Sequence, residues 1–430
     1  MKILIISNSP MRLDNSIGNT YDNIFYGMRD AVFANIYTKN QLPNDRFVTK
    51  YFLISEKNII KNLISSKNVV GKEVIRNTAD SNKHEMHHNK INRILKILRF
   101  KCFFWIRDLI WKFGRWRNGS LISFIENYDP DIIFTPLIDN KALNILVQYV
   151  HKVAGCRLIT YAWDDVYTLN QFSMSPVFWI DRIYQRSAIK KVADESDLIY
   201  VISEQQKKEY ETCFKTKCKL LYKGYDFKEK DHHKINKPVK IIYTGNLGYK
   251  RWRSLLDIID TLKHINKHET QVELYIYSKT ALSKSVINKL NVQATSFFMG
   301  GVSHDKAMEV QDDADIVLHV ESFSKKARKL VRLSFSTKLV DYFYKGKCIF
   351  AVGPADVASI DYLMKNDAAV VATSKSEIED KLRMLIEHPE KIELYGEKAW
   401  ECGKRNHQIK DIQDMLYNDF KELVSERSNK

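Results

Sequence analysis

Short apolar runs alternate with helical patterns along almost the whole of this 430-residue chain, and that alternation narrows the choice of fold. Strands that alternate with helices pair in parallel, and the connecting helices pack on both faces of the sheet. The sequence therefore predicts an α/β protein built from doubly wound, Rossmann-like sheets. The predicted strands lie at residues 3–7, 131–135, 158–162, 198–202, 240–244, 273–277, 296–299, 316–320, 348–352 and 369–372.

One polar stretch interrupts this alternation near the middle of the chain. Residues 223–238 are rich in charge and end in a proline, which is typical of a linker between domains. We therefore predict an N-terminal domain over residues 1–222 and a C-terminal domain over residues 239–389. Helices over residues 390–430 follow, and they can cross back to the first domain. The two domains would face each other across a cleft, where α/β proteins usually bind ligands.

The charge of the chain indicates an anionic partner. Lys and Arg outnumber Asp and Glu by 68 to 52, which gives a formal net charge of +16. Such an excess suits nucleic acid, an anionic membrane or a phosphorylated substrate. No recognised nucleic-acid-binding motif accompanies the charge, so we expect no nucleic acid partner.

The cysteines and the hydropathy pattern indicate in which cellular compartment the protein resides. The six cysteines include no Cys-x-x-Cys pair, so neither a disulfide framework nor a zinc site is indicated. Reduced thiols are the default in the cytosol. No apolar run is long enough to span a membrane. We therefore expect a cytoplasmic protein.

A basic, aromatic insertion over residues 89–118 suggests contact with a membrane. Between residues 90 and 117 it carries nine Lys and Arg but one acid, Asp108. A helix with aromatic side chains on one face and cations around it suits the headgroup zone of an anionic bilayer. The alternative is a helix that packs its apolar face on the sheet and leaves its charges solvated. The predicted membrane-contact residues are Arg99, Trp105, Trp111 and Trp116.

A helix that starts near Ser336 has the features of an anion site. Backbone N–H groups at a helix start are free and lie at the positive end of the dipole, so they attract phosphate. Lys338 lies in the first turn, and Asp341 follows one turn later on the same face. The amides of Ser336 and Thr337 and the cation of Lys338 would hold phosphates, and Asp341 would hold ribose hydroxyls. The alternative is an ordinary helix with solvated charges.

A glycine-containing turn follows the predicted strand at 240–244. Gly245 and Gly248 would let the backbone approach a ligand. Lys250 and Arg251 come next, where a diphosphate would lie at the carboxyl edge of the sheet. The alternative is again a solvated helix start. Because no third glycine follows, the turn lacks the dinucleotide-binding fingerprint.

Two loops of the first domain are candidates for the acceptor side of the cleft. Gly18 and Asn19 follow the first strand, where a substrate could approach the next helix; a plain surface turn is the alternative. Asp164 and Asp165 end another strand, and either could act as a carboxylate for a reacting sugar. Alternatively, one of them caps the next helix.

These segments together resemble the group 1, retaining, GT-B glycosyltransferases, such as those of bacterial polysaccharide biosynthesis. The resemblance implies two Rossmann-like domains with a nucleotide-sugar donor bound mainly by the second. It also implies glycosyl transfer, of a hexosyl or related group, with retained configuration and without a metal or other cofactor. The motifs that carry the resemblance are Lys240-Ile-Ile-Tyr-Thr-Gly-Asn-Leu-Gly248, Asp315-Ile-Val-Leu-His-Val320 and Ser336-Thr-Lys-Leu-Val-Asp-Tyr-Phe-Tyr-Lys-Gly-Lys347.

The resemblance also implies roles for individual residues. Lys338, with Lys250 or Arg251, would bind the diphosphate and stabilise the departing nucleotide, where positive charge counts most in the transition state. Asp341 would hold the ribose, and the strand end with Gly300 would lie near the nucleobase. The predicted donor-binding set is Gly245, Asn246, Lys250, Gly300, Ser336, Thr337, Asp341 and Glu321.

One position departs from the family's pattern of two glutamates separated by seven residues. Asp341 takes the second place, but Leu333 stands where the first glutamate, which commonly touches the donor sugar, is expected. Glu321 lies further upstream and is the candidate substitute. Either recognition of the donor sugar is unusual, or the site is altered.

Three hypotheses follow. The first is a cytoplasmic glycosyltransferase, peripheral on the inner face of the cell membrane, that acts on a lipid-linked or polysaccharide acceptor. The second is a nucleotide-sugar epimerase of the same fold, which needs no membrane and no second sugar. The third is a non-catalytic, anion-binding scaffold, which the missing glutamate suggests.

Overall fold

The computed structural model describes residues 1–28, 30–65, 67–76, 101–230 and 234–428. The first part of the basic insertion, including Arg99, therefore lies outside the described residues.

The first sheet belongs to the N-terminal part of the chain. In the described residues it has eight strands in the order β4-β3-β2-β1-β5-β6-β7-β8, and every neighbouring pair is parallel except β3 and β4. Its strands are β1 (Lys2–Ser7), β2 (Val32–Tyr37), β3 (Val48–Leu53), β4 (Lys72–Val74), β5 (Ile132–Pro136), β6 (Arg157–Ala162), β7 (Leu198–Val201) and β8 (Cys218–Leu220).

The second sheet follows the polar linker. As far as the structure describes the chain, it has six parallel strands in the order β11-β10-β9-β12-β13-β14. Its strands are β9 (Val239–Thr244), β10 (Val272–Tyr277), β11 (Ser296–Gly300), β12 (Ile316–Val320), β13 (Cys348–Val352) and β14 (Val370–Ala372). The expected α/β class with two doubly wound, parallel-sheet domains is confirmed.

Helices connect the strands and cover the sheets. Those of the first domain are α1 (Ser16–Phe25), α2 (Glu56–Ile64), α3 (Lys101–Phe113), α4 (Gly119–Tyr128), α5 (Lys141–Ala154), α6 (Pro176–Glu195) and α7 (Glu204–Cys213). Those of the second domain are α8 (Arg251–Ile265), α9 (Lys284–Leu290), α10 (His304–Asp312), α11 (Lys325–Val331), α12 (Lys338–Tyr344), α13 (Ala358–Lys365), α14 (Ile378–Glu387) and α15 (Pro389–Asn406). The last helix is α16 (Ile409–Ser428).

The central strands, such as β1 and β13, are largely apolar because both faces of each sheet are buried there. In β1, Leu4 and Ile6 pack into one core cluster, and Ile3 and Ile5 pack into another. The two clusters lie on opposite faces, since successive side chains of a strand point to opposite sides. A strand buried on both faces reads as a continuous apolar run, which explains why these segments are recognisable in the sequence.

The C-terminal helix α16 packs on the first domain. Leu416 and Phe420 are fully buried in a core cluster with residues of the first sheet. The hydroxyl of Tyr200 donates to Asp419 Oδ2 at 2.7 Å, and Arg157 Nε donates to the carbonyl of Leu423 at 2.8 Å. The chain therefore passes between the domains twice, once after β8 and once between α15 and α16.

The two passages lie side by side. The amide of Tyr225, in the first passage, donates to the carbonyl of His407 at 2.9 Å, and the amide of Ile409 donates back to the carbonyl of Tyr225 at 2.9 Å. Gly224 is required here, because a Cβ at this position would lie 2.7 Å from the carbonyl oxygen of His407. This pairing ties the two connections into one unit.

The positions of the tryptophans in the basic insertion contradict part of the predicted membrane contact. Trp111 and Trp116 are fully buried in the core of the first domain, and Trp116 Nε1 donates to the carbonyl of Trp111 at 2.6 Å. Trp105 is half-buried and donates to Asp181 Oδ1 at 3.1 Å. The prediction for Trp111 and Trp116 is therefore wrong, because Trp111 on α3 and Trp116 just after that helix both pack inward. No helix in the described part of the chain is long and apolar enough to cross a membrane.

The burial of Trp116 has a measurable consequence. Trp116→Ala removes a fully buried indole, so we expect it to lower the free energy of unfolding by about 3–5 kcal/mol. Phe113→Ala is the control, because Phe113 is 67% exposed, and a surface change shifts stability by less than about 0.5 kcal/mol. Urea unfolding followed by circular dichroism measures both. Equal losses in the two variants would contradict the packing described for α3.

Candidate functional site

A cleft with a volume of about 1110 Å³ lies between the two domains. The second domain contributes loops that follow the carboxyl ends of β9, β10 and β11, together with the start of α12. The first domain contributes the loop after β1, the exposed face of α1 and the segment before β3. Residues from the two domains that line the cleft include Asp14, Asn15, Asn19, Thr20, Asp22, Arg46, Lys223, Gly245, Asn246, Ser278, Thr280, Val302, Thr337, Lys338 and Asp341.

Lys338 is a half-buried cation on the wall of this cleft. Its Nζ donates to the carbonyl of Thr244, at the end of β9, at 3.0 Å. Burial and the charge of Arg251 lower the pKa of Lys338 to about 8, although Asp341 and Glu321 oppose the shift. The ammonium is thus poorly solvated and lies where an anion in the cleft would stabilise it.

The glycine turn after β9 leaves room for this ammonium. A Cβ on Gly245 would lie 2.8 Å from Lys338 Nζ and 2.8 Å from the hydroxyl of Tyr243, so a larger residue would displace the ammonium or the tyrosine ring. Asn246 fixes the turn, because its Oδ1 accepts from the amide of Gly248 at 2.6 Å and from Thr280 Oγ1 at 3.1 Å. The structure therefore brings Gly245, Asn246 and Lys338 together at one end of the cleft.

Arg251 and Glu321 form an ion pair beside the cleft. The guanidinium donates to both carboxylate oxygens, at 2.8 and 3.0 Å, and the two side chains are 17% and 4% exposed. Burial raises the pKa of Glu321, although Arg251 opposes the shift. Neither residue lines the cleft. The expectation that Glu321 contacts the donor sugar is therefore corrected, because its carboxylate is buried against Arg251, and a contact of Arg251 with a diphosphate remains a prediction.

A neutral histidine lies behind this pair. Burial, and then the charges of Arg251 and Lys338, lower the pKa of His319 to about 3. The imidazole is therefore uncharged at neutral pH, and it adds no repulsion to the two cations.

Asp341 lies on the cleft wall and is held by the linker. Lys223 Nζ and the hydroxyl of Tyr225 both donate to Asp341 Oδ1, each at 2.8 Å. Lys223 also lines the cleft. Lys223 is absent from the predicted site residues, because it stands at the start of a polar segment that reads as a solvated linker. In the sequence, only its place in the run from Tyr222 to Asp226 indicates that Lys223 belongs to the site.

The start of α12 differs from the anion site predicted there. Thr337 lines the cleft, as a donor-binding residue would. The amide of Ser336 donates to Ser359 Oγ at 3.0 Å, so it is already paired. The prediction that the Ser336 amide holds a phosphate is therefore corrected, and Lys338 is the cation that α12 presents to the cleft.

Two further donor-site predictions fall near the cleft but not on its lining. Gly300 ends β11 with a φ of 77°, and its carbonyl accepts from the amide of Ser278 at 2.7 Å. Ser278, the donor of that bond, and Val302 both line the cleft. Lys250 is exposed and has a φ of 64° at the start of α8. A role of Gly300 or Lys250 in binding a donor remains a prediction.

On the first-domain wall, Asn19 lines the cleft but Gly18 has a packing role. The amide of Gly18 donates to Asn15 Oδ1 at 2.7 Å, which caps α1. A Cβ on Gly18 would lie 2.1 Å from the carbonyl oxygen of Arg12. The prediction that Gly18 meets the acceptor is therefore corrected: glycine is needed where α1 passes the Arg12 backbone.

The two adjacent acids after β6 have different environments. Asp165 is buried, pairs with Arg182 at 3.1 Å and accepts from the amide of Thr168 at 2.9 Å. Asp165 thus closes a turn, and its prediction as a catalytic carboxylate is wrong. Asp164 Oδ1 accepts from Ser334 Oγ of the second domain at 2.6 Å. Asp164 is therefore a contact between the domains, and it does not line the cleft.

Two residues of the first-domain wall, Asp22 and Arg46, are also not among the predicted site residues. Asp22 and Arg46 form an ion pair there, and the Arg46 guanidinium lies 4.1 Å from the ring centre of Tyr26. No group of three or more His, Cys, Asp and Glu side chains in the described residues is placed to hold a metal ion.

The fold has relatives among solved structures. By sequence, no protein-family model and no curated protein matches the chain. HepE of Anabaena, in complex with UDP and glucose, aligns with a TM-score of 0.61 at 11% identity over 98% of this chain and 100% of its own. Sucrose-phosphate synthase of Thermosynechococcus elongatus aligns with a TM-score of 0.62 at 12% identity over 99% of each chain.

A third structure, trehalose-6-phosphate from E. coli bound with UDP-2-fluoro glucose, aligns with a TM-score of 0.63. The identity is 11%, over 98% of this chain and 99% of the other. All three are GT-B glycosyltransferases, and they share with this chain two parallel-sheet domains on either side of a cleft. The chain therefore has the GT-B fold, as its motifs predicted.

Proposed function

We propose that the protein transfers a glycosyl group from a nucleotide-sugar donor to an acceptor, with retained configuration. The observation that carries the proposal is Lys338, a cation of lowered pKa whose Nζ bonds to a backbone carbonyl on the cleft wall. A buried ammonium is costly unless an anion neutralises it. A diphosphate bound beside Gly245 would supply that anion, since the glycine leaves the approach to Lys338 open.

The rest of the cleft suits the remaining parts of such a donor. Asp341, one turn beyond Lys338, would accept from the ribose hydroxyls, and Asn246 and Thr337 would border the phosphates. Ligand pockets commonly measure about 300–1000 Å³. A cleft of about 1110 Å³ has room for a donor together with part of an acceptor.

In the proposed reaction the bond between the sugar C1 and the leaving phosphate oxygen breaks. A new bond forms between C1 and an acceptor hydroxyl oxygen on the same face of the ring, and the hydroxyl proton passes to the leaving phosphate. Lys338 would stabilise the charge that grows on the phosphate, which is why no metal ion is invoked. Because Asp165 is buried in an ion pair, the proposal gives it no part in the step.

We further propose that the acceptor is lipid-linked or a growing polysaccharide and that the protein contacts an anionic membrane. The support is a surface on α3 and α6, here called the outer face. The single acid of α3, Asp108, is buried, whereas Lys112 and Arg115 are exposed. Cations around exposed apolar side chains favour anionic lipid. The outer face comprises Phe104, Ile106, Leu109, Phe113, Val177, Ile180 and Ile183, all exposed.

Two other functions are distinguished by their products. An epimerase would change the sugar of the nucleotide without any acceptor, and a scaffold would bind anions without turnover. The scaffold is favoured by the absence of the first family glutamate, whose place is taken by the fully buried Leu333.

The first test is a screen of UDP, GDP, ADP and CMP and their sugar conjugates for binding and turnover. We expect one nucleotide to bind selectively, and its sugar conjugate to give a product whose anomeric configuration, read by NMR, matches the donor. Removing one charge-stabilising donor typically lowers kcat by about 10²–10³, so Lys338→Ala should fall in that range. Lys289→Ala, an exposed lysine of the same domain, is the control. Binding of no nucleotide by the wild-type protein would rule out the proposed function.

The pKa of Lys338 predicts how nucleotide affinity depends on pH. Lys338 is charged below its pKa of about 8 and loses its charge as the pH rises through that value. Affinity for the selected nucleoside diphosphate should therefore fall by up to about ten-fold for each pH unit above about 8. Calorimetric titration between about pH 7 and about pH 9.5 measures this. Lys338→Arg should flatten the profile, because a guanidinium keeps its charge over this range. A profile for the wild-type protein that is already flat would contradict the role of Lys338.

The outer face predicts membrane recruitment. The double variant with Ile106→Ser and Phe113→Ser should sediment less with vesicles that contain phosphatidylglycerol, because it removes apolar area that would enter the headgroup zone. Met299→Ser with Leu394→Ser is the matched control, since both residues are 50% exposed in the second domain. Equal sedimentation of the two double variants, or binding that ignores vesicle charge, would remove the argument for a membrane.

A further inference from the structure

The carboxylate of Asp341 is held by two donors from the passage between the domains. Lys223 Nζ and the Tyr225 hydroxyl each lie 2.8 Å from Asp341 Oδ1, and Lys223 Nζ also donates to the Tyr225 hydroxyl at 3.0 Å. The side chains of Lys223 and Asp341 are 8% and 9% exposed. Burial, and then the charge of Asp341, raise the pKa of Tyr225, so its hydroxyl stays protonated and donates.

These donors are themselves fixed. The ring of Tyr225 stacks on that of Tyr344, with centroids 4.4 Å apart and an angle of 17° between the planes. Asn23 of α1 holds Gly224 from both sides: its Nδ2 donates to the Gly224 carbonyl at 2.9 Å, and its Oδ1 accepts from the Gly224 amide at 3.0 Å. The segment from Lys223 to Tyr225 is thus fixed to the first domain, to α12 and to the second passage.

The hydrogen bonds of Asp341 leave one of its two carboxylate oxygens, Oδ2, for a ligand. Among the hydrogen bonds of the described residues, those of the Asp341 side chain go to Oδ1, and the residue lines the cleft. An aspartate carboxylate has two acceptor oxygens, and here both protein donors bind the same one. A carboxylate fixed in this way presents Oδ2 in one orientation.

We propose that Lys223 and Tyr225 are positioning residues that set Asp341 to accept from the ribose hydroxyls of a nucleoside diphosphate. Through Asp341 they decide selectivity for ribonucleotides over 2′-deoxynucleotides. The inference rests on the proposed function, because it takes the ligand of the cleft to be a nucleotide. It adds a source of selectivity that lies outside the second domain, in the passage between the domains.

Because the side chain of Asp341 is short, the hydrogen bonds from Lys223 and Tyr225 that fix its orientation are important. Aspartate is one methylene shorter than the glutamate of the family pattern, so small changes in its orientation move Oδ2 away from the ribose. Releasing Oδ1 would let the carboxylate rotate. A hydrogen bond to a charged group is worth enough to change a binding preference by roughly ten-fold or more. Tyr225 and Lys223 therefore control that preference through Asp341.

The experiment measures binding preference and not affinity alone. UDP, GDP and ADP are each titrated against their 2′-deoxy counterparts with the full chain, by calorimetry. The variants are Tyr225→Phe and Lys223→Met, with Asp341→Asn as the reference for a lost ribose contact. Lys228→Met is the matched control, because it removes a lysine that is 79% exposed in the same segment. Melting temperatures are recorded for every variant.

We expect the wild-type protein and Lys228→Met to prefer the ribose form by roughly ten-fold, the size of one hydrogen bond to a charged group. Tyr225→Phe and Lys223→Met should lose most of that preference, and Tyr225→Phe in the Asp341→Asn background should change nothing further. Equal weakening of both nucleotide forms would show that the segment only supports the fold, and it would overturn the inference. If Lys223→Met does not fold, the preference measured for Tyr225→Phe decides between these outcomes. If the wild-type protein binds no nucleotide, the proposed function fails, and this inference fails with it.

Discussion

The pairing of the two passages between the domains is the contact on which the cleft depends. Backbone hydrogen bonds join Tyr225 to His407 and Ile409, and Gly224 is the residue that lets the two segments approach. His407 is fully buried at this crossing, and burial lowers its pKa to about 4, so the junction carries no imidazolium charge at neutral pH. Because Lys223 extends from this junction to Asp341, the junction and the second-domain wall of the cleft are parts of one hydrogen-bonded unit.

Near the cleft, one ion pair is neutralised internally, whereas the cation of Lys338 has no carboxylate among its hydrogen-bond partners. Arg251 and Glu321 neutralise each other where water is largely excluded, and such a pair is stable only while both partners are present. In the described part of the chain, the hydrogen bond of Lys338 goes to the Thr244 carbonyl and not to a carboxylate. Burial, and then the charge of Arg251, lower the pKa of Lys338. An anionic ligand would therefore gain most by binding at Lys338.

The sequence predicted the parallel-sheet architecture because buried strands such as β7 and β13 are uninterrupted apolar runs. It did not indicate β2, where Asn35 breaks the run; in the structure the Asn35 amide donates to the Ile5 carbonyl of the next strand. Periodicity also does not tell which neighbour a helical face meets, so Trp111 of α3 is predicted at a membrane and found in the core. For Lys223, the decisive partner Asp341 is 118 residues away, a contact that no local pattern contains.

The missing family glutamate has a structural explanation. Leu333, at its position, is fully buried, and its carbonyl accepts from Ser203 Oγ of the first domain at 2.8 Å. On either side, Ser334 bonds to Asp164, and Arg332 forms an ion pair with Glu209. This segment therefore packs between the domains and does not face the cleft. If the donor is a nucleotide sugar, as proposed, its sugar hydroxyls must find other partners, and both walls of the cleft offer polar side chains, among them Asn19 on the first domain and Ser278 and Thr280 on the second.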